Sequence, residues 1–221
     1  HPVIDQKGVD TQNEVVKEEK RLRVDNSPYG NLLKAVKQNM FKTHPYRWTT
    51  IGEMEHLDAA TLEEFQAFNK KFYIPNNAVL VVAGQFDNAQ AKEWIKKYFG
   101  AIPKGEPVKR QKFEEAPITS TINATWEDPN VQLPMTVTAY RTPSMKTRDA
   151  RVLDMISSYL SDGKSSKLYK KMVDEKKVAL QINAFNYSQE DYGTYFIFGL
   201  PMGDVTSEVL LKEIDEEIAK M

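Results

Sequence analysis

VALQINAFNYSQEDYGTYFIFGL, residues 178–200, predicts two β-strands separated by a polar turn. The strands cover Val178–Tyr187 and Tyr192–Leu200, and both are rich in the apolar and aromatic residues that favour extended backbone. Successive side chains of a strand point to opposite faces of its sheet. In the second strand this alternation places Thr194, Phe196 and Phe198 on one face and Tyr195 and Ile197 on the other.

The surrounding sequence predicts the rest of a sheet and its covering helices. Two more strands are expected before the pair, at Ile118–Trp126 and Val131–Tyr140. Apolar residues at helical spacing predict three helices, at Thr147–Leu160, Ser165–Glu175 and Ser207–Met221. Strand pairs that are segregated from helices indicate the α+β class. We therefore expect an antiparallel sheet with helices packed on one face.

The first half of the chain is predicted to be mainly helical. Helices are expected at residues 10–24, 29–42, after Asp58 and from Asp87 to Tyr98, with Asp10 or Thr11 capping the first. One apolar, β-branched run, Ala78–Ala83, predicts a buried strand. The length of 221 residues lies between one and two ordinary domains.

A proline-containing stretch divides the two halves. It has mixed charges and no clear period, which is typical of a linker. We therefore divide the chain into residues 1–104, a linker at 105–117, and residues 118–221. The chain begins with histidine, which indicates a processed protein or a cloned fragment.

Composition excludes several classes of function. A net charge of -1 and a pI near 6.4 argue against a nucleic-acid partner. No apolar run has the roughly 18 residues needed to span a bilayer. With no cysteine, a metal site would have to use His, Asp or Glu. The run at residues 163–166, GKSS, lacks the pattern of a phosphate-binding loop, which argues against a generic small-molecule-binding module.

Four segments, taken in order, resemble one family of enzymes. They are VVKEEKRLRVDNSPYG at residues 15–30, the stretch from His44 to Asp87, YFGAIPKG at 98–105, and residues 138–179. Their order is similar to that of the insulinase/pitrilysin-like zinc metallopeptidases, also called inverzincins, and most similar to the bacterial two-domain type. The resemblance implies the C-terminal part of a catalytic domain, followed by the N-terminal part of a homologous, catalytically silent domain.

The resemblance places one metal ligand in this chain, Glu19. The family pattern ends a Val-Val-x-x-Glu run with the ligand, and EVVKEEKR puts Glu19 in that slot, with Glu18 as its neighbour. Glu19 follows Val15 by four residues, which would put both on the same buried side of the helix. Family members often carry a second glutamate seven residues earlier. Here that position is Gln12, an amide that could hydrogen-bond a ligand but carries no charge.

The remaining parts of the family's zinc site are absent from the sequence. The inverted motif H-x-x-E-H supplies two ligands and the catalytic base, and none of the three histidines, His1, His44 and His56, begins such a motif. Both histidine ligands and the base are therefore expected upstream of His1. Without the resemblance, a charged helical run such as this one is ordinarily a solvated face.

The implied function is that of a fragment of a zinc metalloendopeptidase. The intact enzyme would hydrolyse extended or unfolded polypeptides with a metal-activated water, whereas this chain alone would hold no zinc and be inactive. Expected partners are the peptide substrate and the missing N-terminal half of the catalytic domain, with a homo- or hetero-dimer as a further option. The alternative is a non-catalytic scaffold or partner subunit. Analogy with bacterial relatives favours the cell envelope or periplasm, while the cytoplasm stays open.

Overall fold

The computed structural model describes residues 3–221, which form two compact units. The first unit contains residues up to Asn26 together with Thr43–Ala116, and the second contains Ser27–Lys42 together with Pro117–Met221. The division into homologous domains at 1–104 and 118–221 stays a prediction. No helix within residues 3–221 is long and apolar enough to cross a membrane.

The first unit is built from helices. They are α1 (Gln6–Lys20), α3 (Met54–Ala59), α4 (Leu62–Phe72) and α5 (Asn88–Phe99), with a π-helical turn at Arg21–Asp25 directly after α1. The predicted start of the first helix was wrong. Asp5 caps α1 by accepting a hydrogen bond from the Gly8 backbone N–H at 2.7 Å, so the helix begins more than one turn before Asp10.

The strand predicted at Ala78–Ala83 does not form within this unit. Its apolar side chains are exposed instead, 91% for Val79 and 78% for Val81. A strand is stabilised by main-chain hydrogen bonds to a neighbouring strand, and the described part of the first unit contains no other strand. Trp94 and Tyr98 of α5 are exposed as well.

A capping box fixes the start of α4, and its removal gives a stability prediction. The Thr61 hydroxyl accepts from the Glu64 N–H at 3.3 Å, and the Glu64 carboxylate accepts from the Thr61 N–H at 2.9 Å. We expect Thr61→Ala to lower the free energy of unfolding by about 1 kcal/mol, a typical value for a lost cap. Urea denaturation measures it, with the exposed Thr50→Ala as control; equal losses in both variants would contradict the assignment.

The second unit contains a three-stranded antiparallel sheet. Its strands are β1 (Thr136–Pro143), β2 (Ala179–Tyr187) and β3 (Tyr192–Pro201), in the order β1-β3-β2. The two C-terminal strands match the predicted ones within one residue. The strand predicted at Ile118–Trp126 is absent, and β1 starts five residues later than predicted, because Pro134 has no N–H to donate to a ladder.

One face of this sheet carries the main core. Ala184 of β2 pairs with Ile197 of β3, and both point toward helix α6 (Arg148–Ser161), a π-helical segment at Tyr169–Glu175, and α7 (Ser207–Ile218). The buried cluster on this face comprises Leu160, Leu168, Met172, Ala179, Ile182, Ala184, Tyr195, Ile197, Leu210 and Ile214. The α+β class, the antiparallel sheet and the helical layer are therefore confirmed.

The opposite face is covered in part by helix α2 (Leu32–Met40), which belongs to the second unit. The register places Arg141, Thr194 and Tyr187 side by side on this face. There the Arg141 guanidinium donates to the carbonyl oxygen of Met40 at 3.1 Å, and the Lys37 ammonium lies 5.8 Å from the centre of the Tyr187 ring. These contacts join residues that are far apart in sequence, so periodicity alone did not predict them.

Candidate functional site

The helix that carries the predicted ligand is held firmly within the first unit. The Asn13 side-chain amide donates to the carbonyl oxygen of Leu57 at 3.0 Å, and Lys17 forms an ion pair with Asp58. The hydrogen bond to Asp58 raises the pKa of Lys17. Val9 is buried beneath the first half of the helix. These contacts set where α1 lies in the first unit and which of its sides faces the unit.

The rotation of α1 separates the two neighbouring glutamates. The side facing the unit carries Val9, Asn13, Val16 and Lys20, and at 100° per residue Glu18 lies about 180° from Val9, on the opposite side. Glu19 lies about 80° from Val9, on a flank of the helix. The expectation that Val15 marks the buried side was wrong, because Val15 is 53% exposed.

Gln12 lies on the same flank as Glu19. The seven-residue spacing puts the two about 20° apart around the axis and about 10 Å apart along it. Gln12 is exposed, and this separation along the helix is too large for a direct contact with Glu19. The flank therefore presents one amide and one carboxylate, two turns apart.

The Glu19 carboxylate is paired with Arg23, a partner that was not predicted from the sequence. Glu19 Oε1 lies 3.0 Å from Arg23 Nη1, and the side-chain exposures are 40% for Glu19 and 77% for Arg23. The i,i+4 spacing of the two residues could have revealed this pair. Within residues 3–221 Glu19 makes no other hydrogen bond or ion pair. Glu18 pairs with Arg21 in the same way and is 57% exposed.

A π-helical turn, Arg21–Asp25, begins two residues after Glu19. The Asn26 N–H donates to the carbonyl oxygen of Arg21 at 2.8 Å, the five-residue spacing of a π-helix. Such turns are rare and frequently lie at functional sites. The Lys20 ammonium, which is nearly buried, closes the turn with a 2.7 Å ion pair to Asp25. The chain geometry beside Glu19 is therefore specified by this pair rather than left to a frayed helix end.

The two described histidines occupy structural positions. His44 is 2% exposed, its Nδ1 accepts from the Tyr46 N–H at 3.1 Å, and its ring meets those of Tyr46 and Phe113 edge-on. His56 is exposed beside Glu55. His1 lies outside the described residues.

The donors within residues 3–221 do not by themselves fit a zinc ion. Zinc sites in hydrolases take three protein ligands, and no group of three or more His, Cys, Asp or Glu residues in this range is arranged to hold a metal. Glu19 offers one carboxylate, and a complete site would need other donors.

The comparisons with known proteins agree with the α+β fold. The family pattern described as "Peptidase M16 inactive domain" matches residues 59–221. The chain belongs to the peptidase M16 family. The predicted family resemblance is thereby confirmed, and residues 59–221 match the part of the family that is described as inactive.

Named relatives are bacterial zinc proteases. The chain is 30% identical over 216 residues to zinc protease PqqE of Helicobacter pylori, covering 95% of this chain and 48% of that protein. It is similar to the solved structure of a Helicobacter pylori protease, with a TM-score of 0.88 and 29% identity over 99% of this chain and 53% of the other.

A more distant likeness shows the fold alone. The peptidase M16 inactive domain of Pseudomonas fluorescens matches with a TM-score of 0.78 at 15% identity, over all of this chain and 52% of that one. The chain spans about half the length of the curated relatives it matches.

Proposed function

We propose that this chain forms part of a zinc metalloendopeptidase that hydrolyses peptide bonds of extended polypeptides, and that Glu19 is one of the metal ligands. Family membership and the zinc-protease names of the relatives support the reaction class. The other two ligands, both histidines, and the catalytic base would come from residues outside this chain. The 221-residue chain alone is inactive.

The placement of Glu19 is the observation that carries the proposal. Its carboxylate lies on a flank of an anchored helix, closer to the buried side than Glu18. Arg23 Nη1 lies 3.0 Å from Oε1 in an exposed ion pair, and the Lys20–Asp25 pair lies in the turn that carries Arg23. Outer partners of this kind orient metal ligands and tune their basicity. Zinc bound by such a set would lower the pKa of a water molecule and supply the nucleophile.

The remaining half of the catalytic domain is the partner that the first unit requires. The run AVLVVA at residues 78–83 has the composition of a strand buried on both faces, yet it is exposed here. An exposed apolar segment with the composition of a strand is a template for pairing with another chain segment. We infer that the preceding part of the full-length protein pairs with this run and brings the histidines toward Glu19.

The direct test measures zinc and peptidase activity in two proteins. We expect the purified 221-residue chain to carry no stoichiometric zinc and to cleave no peptide, because a single carboxylate cannot replace three ligands. The full-length protein should bind about one zinc per chain and lose activity on chelation. Elemental analysis and a fluorogenic peptide assay give both readouts. About one tightly held zinc on the short chain would contradict the proposal.

A second candidate function is a non-catalytic scaffold subunit, and Gln12 is the observation that favours it. A neutral amide stands where family members often have a glutamate, so this flank of α1 carries less charge to tune a metal. The same measurement separates the two functions. A full-length protein that folds but holds no zinc and cleaves nothing would be a scaffold.

A further inference from the structure

The second unit contains an open aromatic groove between α2 and the sheet. Phe185 and Phe196 are register partners whose rings stack with centres 4.9 Å apart, and Phe198 meets Phe185 edge-on at 6.1 Å. The groove has a volume of about 350 Å³. It is lined by Tyr29, Gly30, Leu32, Leu33, Phe185, Phe196 and Phe198.

The backbone of Tyr29 and the exposed side chains of the lining define the shape of the groove. Tyr29 adopts a φ of 59°, which is unfavourable for a residue with a side chain, and its hydroxyl donates to the carbonyl oxygen of Leu133 at 2.7 Å. Phe185 on the floor stays 41% exposed, and Leu33 on the wall 37%. A preformed apolar cleft of this size is typical of a ligand site.

The ammonium of a largely buried lysine lies beyond one end of the groove. Lys37 follows Leu33 by one turn of α2, and Tyr187 follows Phe185 by two residues on the same face of β2. The Lys37 Nζ lies 5.8 Å from the Tyr187 ring centre. Along both elements this displacement is about 6–7 Å, a distance that one aromatic residue spans between its ring and its main-chain carboxylate.

Lys37 has no anionic partner in the described part of the chain. It is 4% exposed, and no carboxylate among residues 3–221 forms an ion pair or hydrogen bond with it. Burial lowers its pKa, whereas the lysines with carboxylate partners, Lys17, Lys171 and Lys176, have raised values. Nζ itself is not among the fully buried polar atoms that lack a hydrogen-bond partner. An anion at this end of the groove would therefore pair with an accessible but largely desolvated charge.

We propose that this groove binds the C-terminal residue of a peptide, with an aromatic or branched apolar side chain on the phenylalanine floor and the terminal carboxylate at Lys37. Edge-to-face contacts favour an aromatic side chain there, and charge complementarity selects the carboxylate. A peptide is chosen over a fatty acid because the chain belongs to a peptidase family, so the identity of this ligand rests on the proposed function. Capture of a C-terminal carboxylate is a known mode of peptide recognition.

The test measures binding of a fluorescein-labelled octapeptide ending in Gly-Phe to the 221-residue chain by anisotropy. Amidation of the peptide C-terminus should weaken binding about ten-fold or more, as for loss of a charge-assisted hydrogen bond. Lys37→Met should cause the same loss and remove the difference between acid and amide, the signature of direct coupling. Lys164→Met, the same change at an exposed lysine of the second unit, should leave binding within about two-fold.

The Lys37→Met variant also reports on folding. We expect it to melt at a higher temperature than the wild type, because it removes a largely desolvated charge. A binding loss together with unchanged or increased stability would support a ligand-binding role. Leu33→Asp, on the open wall of the groove, gives a second variant that should weaken binding.

Three results would overturn the proposal. They are equal binding of acid and amide, unchanged binding by Lys37→Met, and Lys37-dependent binding of laurate without binding of the peptide. Binding needs no metal, so this experiment can fail while zinc-dependent hydrolysis by the full-length protein stands, and the reverse also holds.

Discussion

Glu19→Gln in the full-length protein is expected to abolish stoichiometric zinc binding and to lower peptidase kcat/KM by more than about 100-fold. Losing a residue that only supports a metal ligand typically costs 10–100-fold, and loss of the ligand itself should exceed that. Glutamine keeps the size and helix propensity of glutamate but removes the charge that Arg23 contacts at 3.0 Å. Because this ion pair is exposed, its loss should change the free energy of unfolding by less than about 1 kcal/mol.

Glu18→Gln is the matched control for this experiment. It makes the same chemical change one residue earlier on α1 and breaks the equivalent exposed pair, Glu18–Arg21 at 3.1 Å. Because Glu18 lies about 100° away around the helix, we expect zinc content and activity within about two-fold of the wild type. Equal loss of zinc and activity in both variants would show that removing either charge disturbs α1 as a whole, and would not identify a ligand. Loss in Glu18→Gln alone would assign the ligand to Glu18.

The sequence predicted the second unit better than the first, and the reason is physical. Strands β2 and β3 have strong alternation and pair with each other across a short turn, so local pattern is sufficient. Ala78–Ala83 has an equally clear strand composition, but a strand needs a neighbour, and none lies within the described part of its unit. Composition can indicate a buried strand without saying whether the partner is in the same chain.

The start of α1 was difficult to predict because residues that can cap a helix occur at more than one position near it. Aspartate is a good helix cap at either Asp5 or Asp10, and Gly8 between them lowers helix propensity. The structure chooses Asp5, and the helix then continues far enough to bury Val9. The gain from packing outweighs the unfavourable glycine.

The candidate site was predicted in part. Glu19 was found through the family resemblance, and the supporting reason from Val15 failed because the buried side of α1 lies elsewhere. Burial of a helix face depends on what packs against it, here α3 through Asn13 and Leu57. Lys37 was missed for the same reason. Its burial depends on Tyr187, which is 150 residues away in sequence and adjacent only in the folded unit.

Val81→Glu should have opposite outcomes in the short chain and in the full-length protein. In the 221-residue chain Val81 is 78% exposed, so the free energy of unfolding should change by no more than about 0.5 kcal/mol, as for surface substitutions generally. In the full-length protein we expect the run from Ala78 to Ala83 to be a strand buried on both faces. A glutamate there would put an unpaired charge in the core, which is strongly destabilising, and should abolish zinc binding by preventing that half of the domain from assembling.

Two measurements test this prediction. Thermal unfolding is recorded for both proteins, and analytical ultracentrifugation measures association of the short chain with the separately produced N-terminal portion. Val3→Glu is the control, since it makes the same change at an equally open valine of the first unit, 85% exposed. It should leave association intact. If Val81→Glu still associates with the N-terminal portion and the full-length variant keeps its zinc, then this run is a surface segment. The partner that completes the metal site would in that case have to bind elsewhere on the first unit.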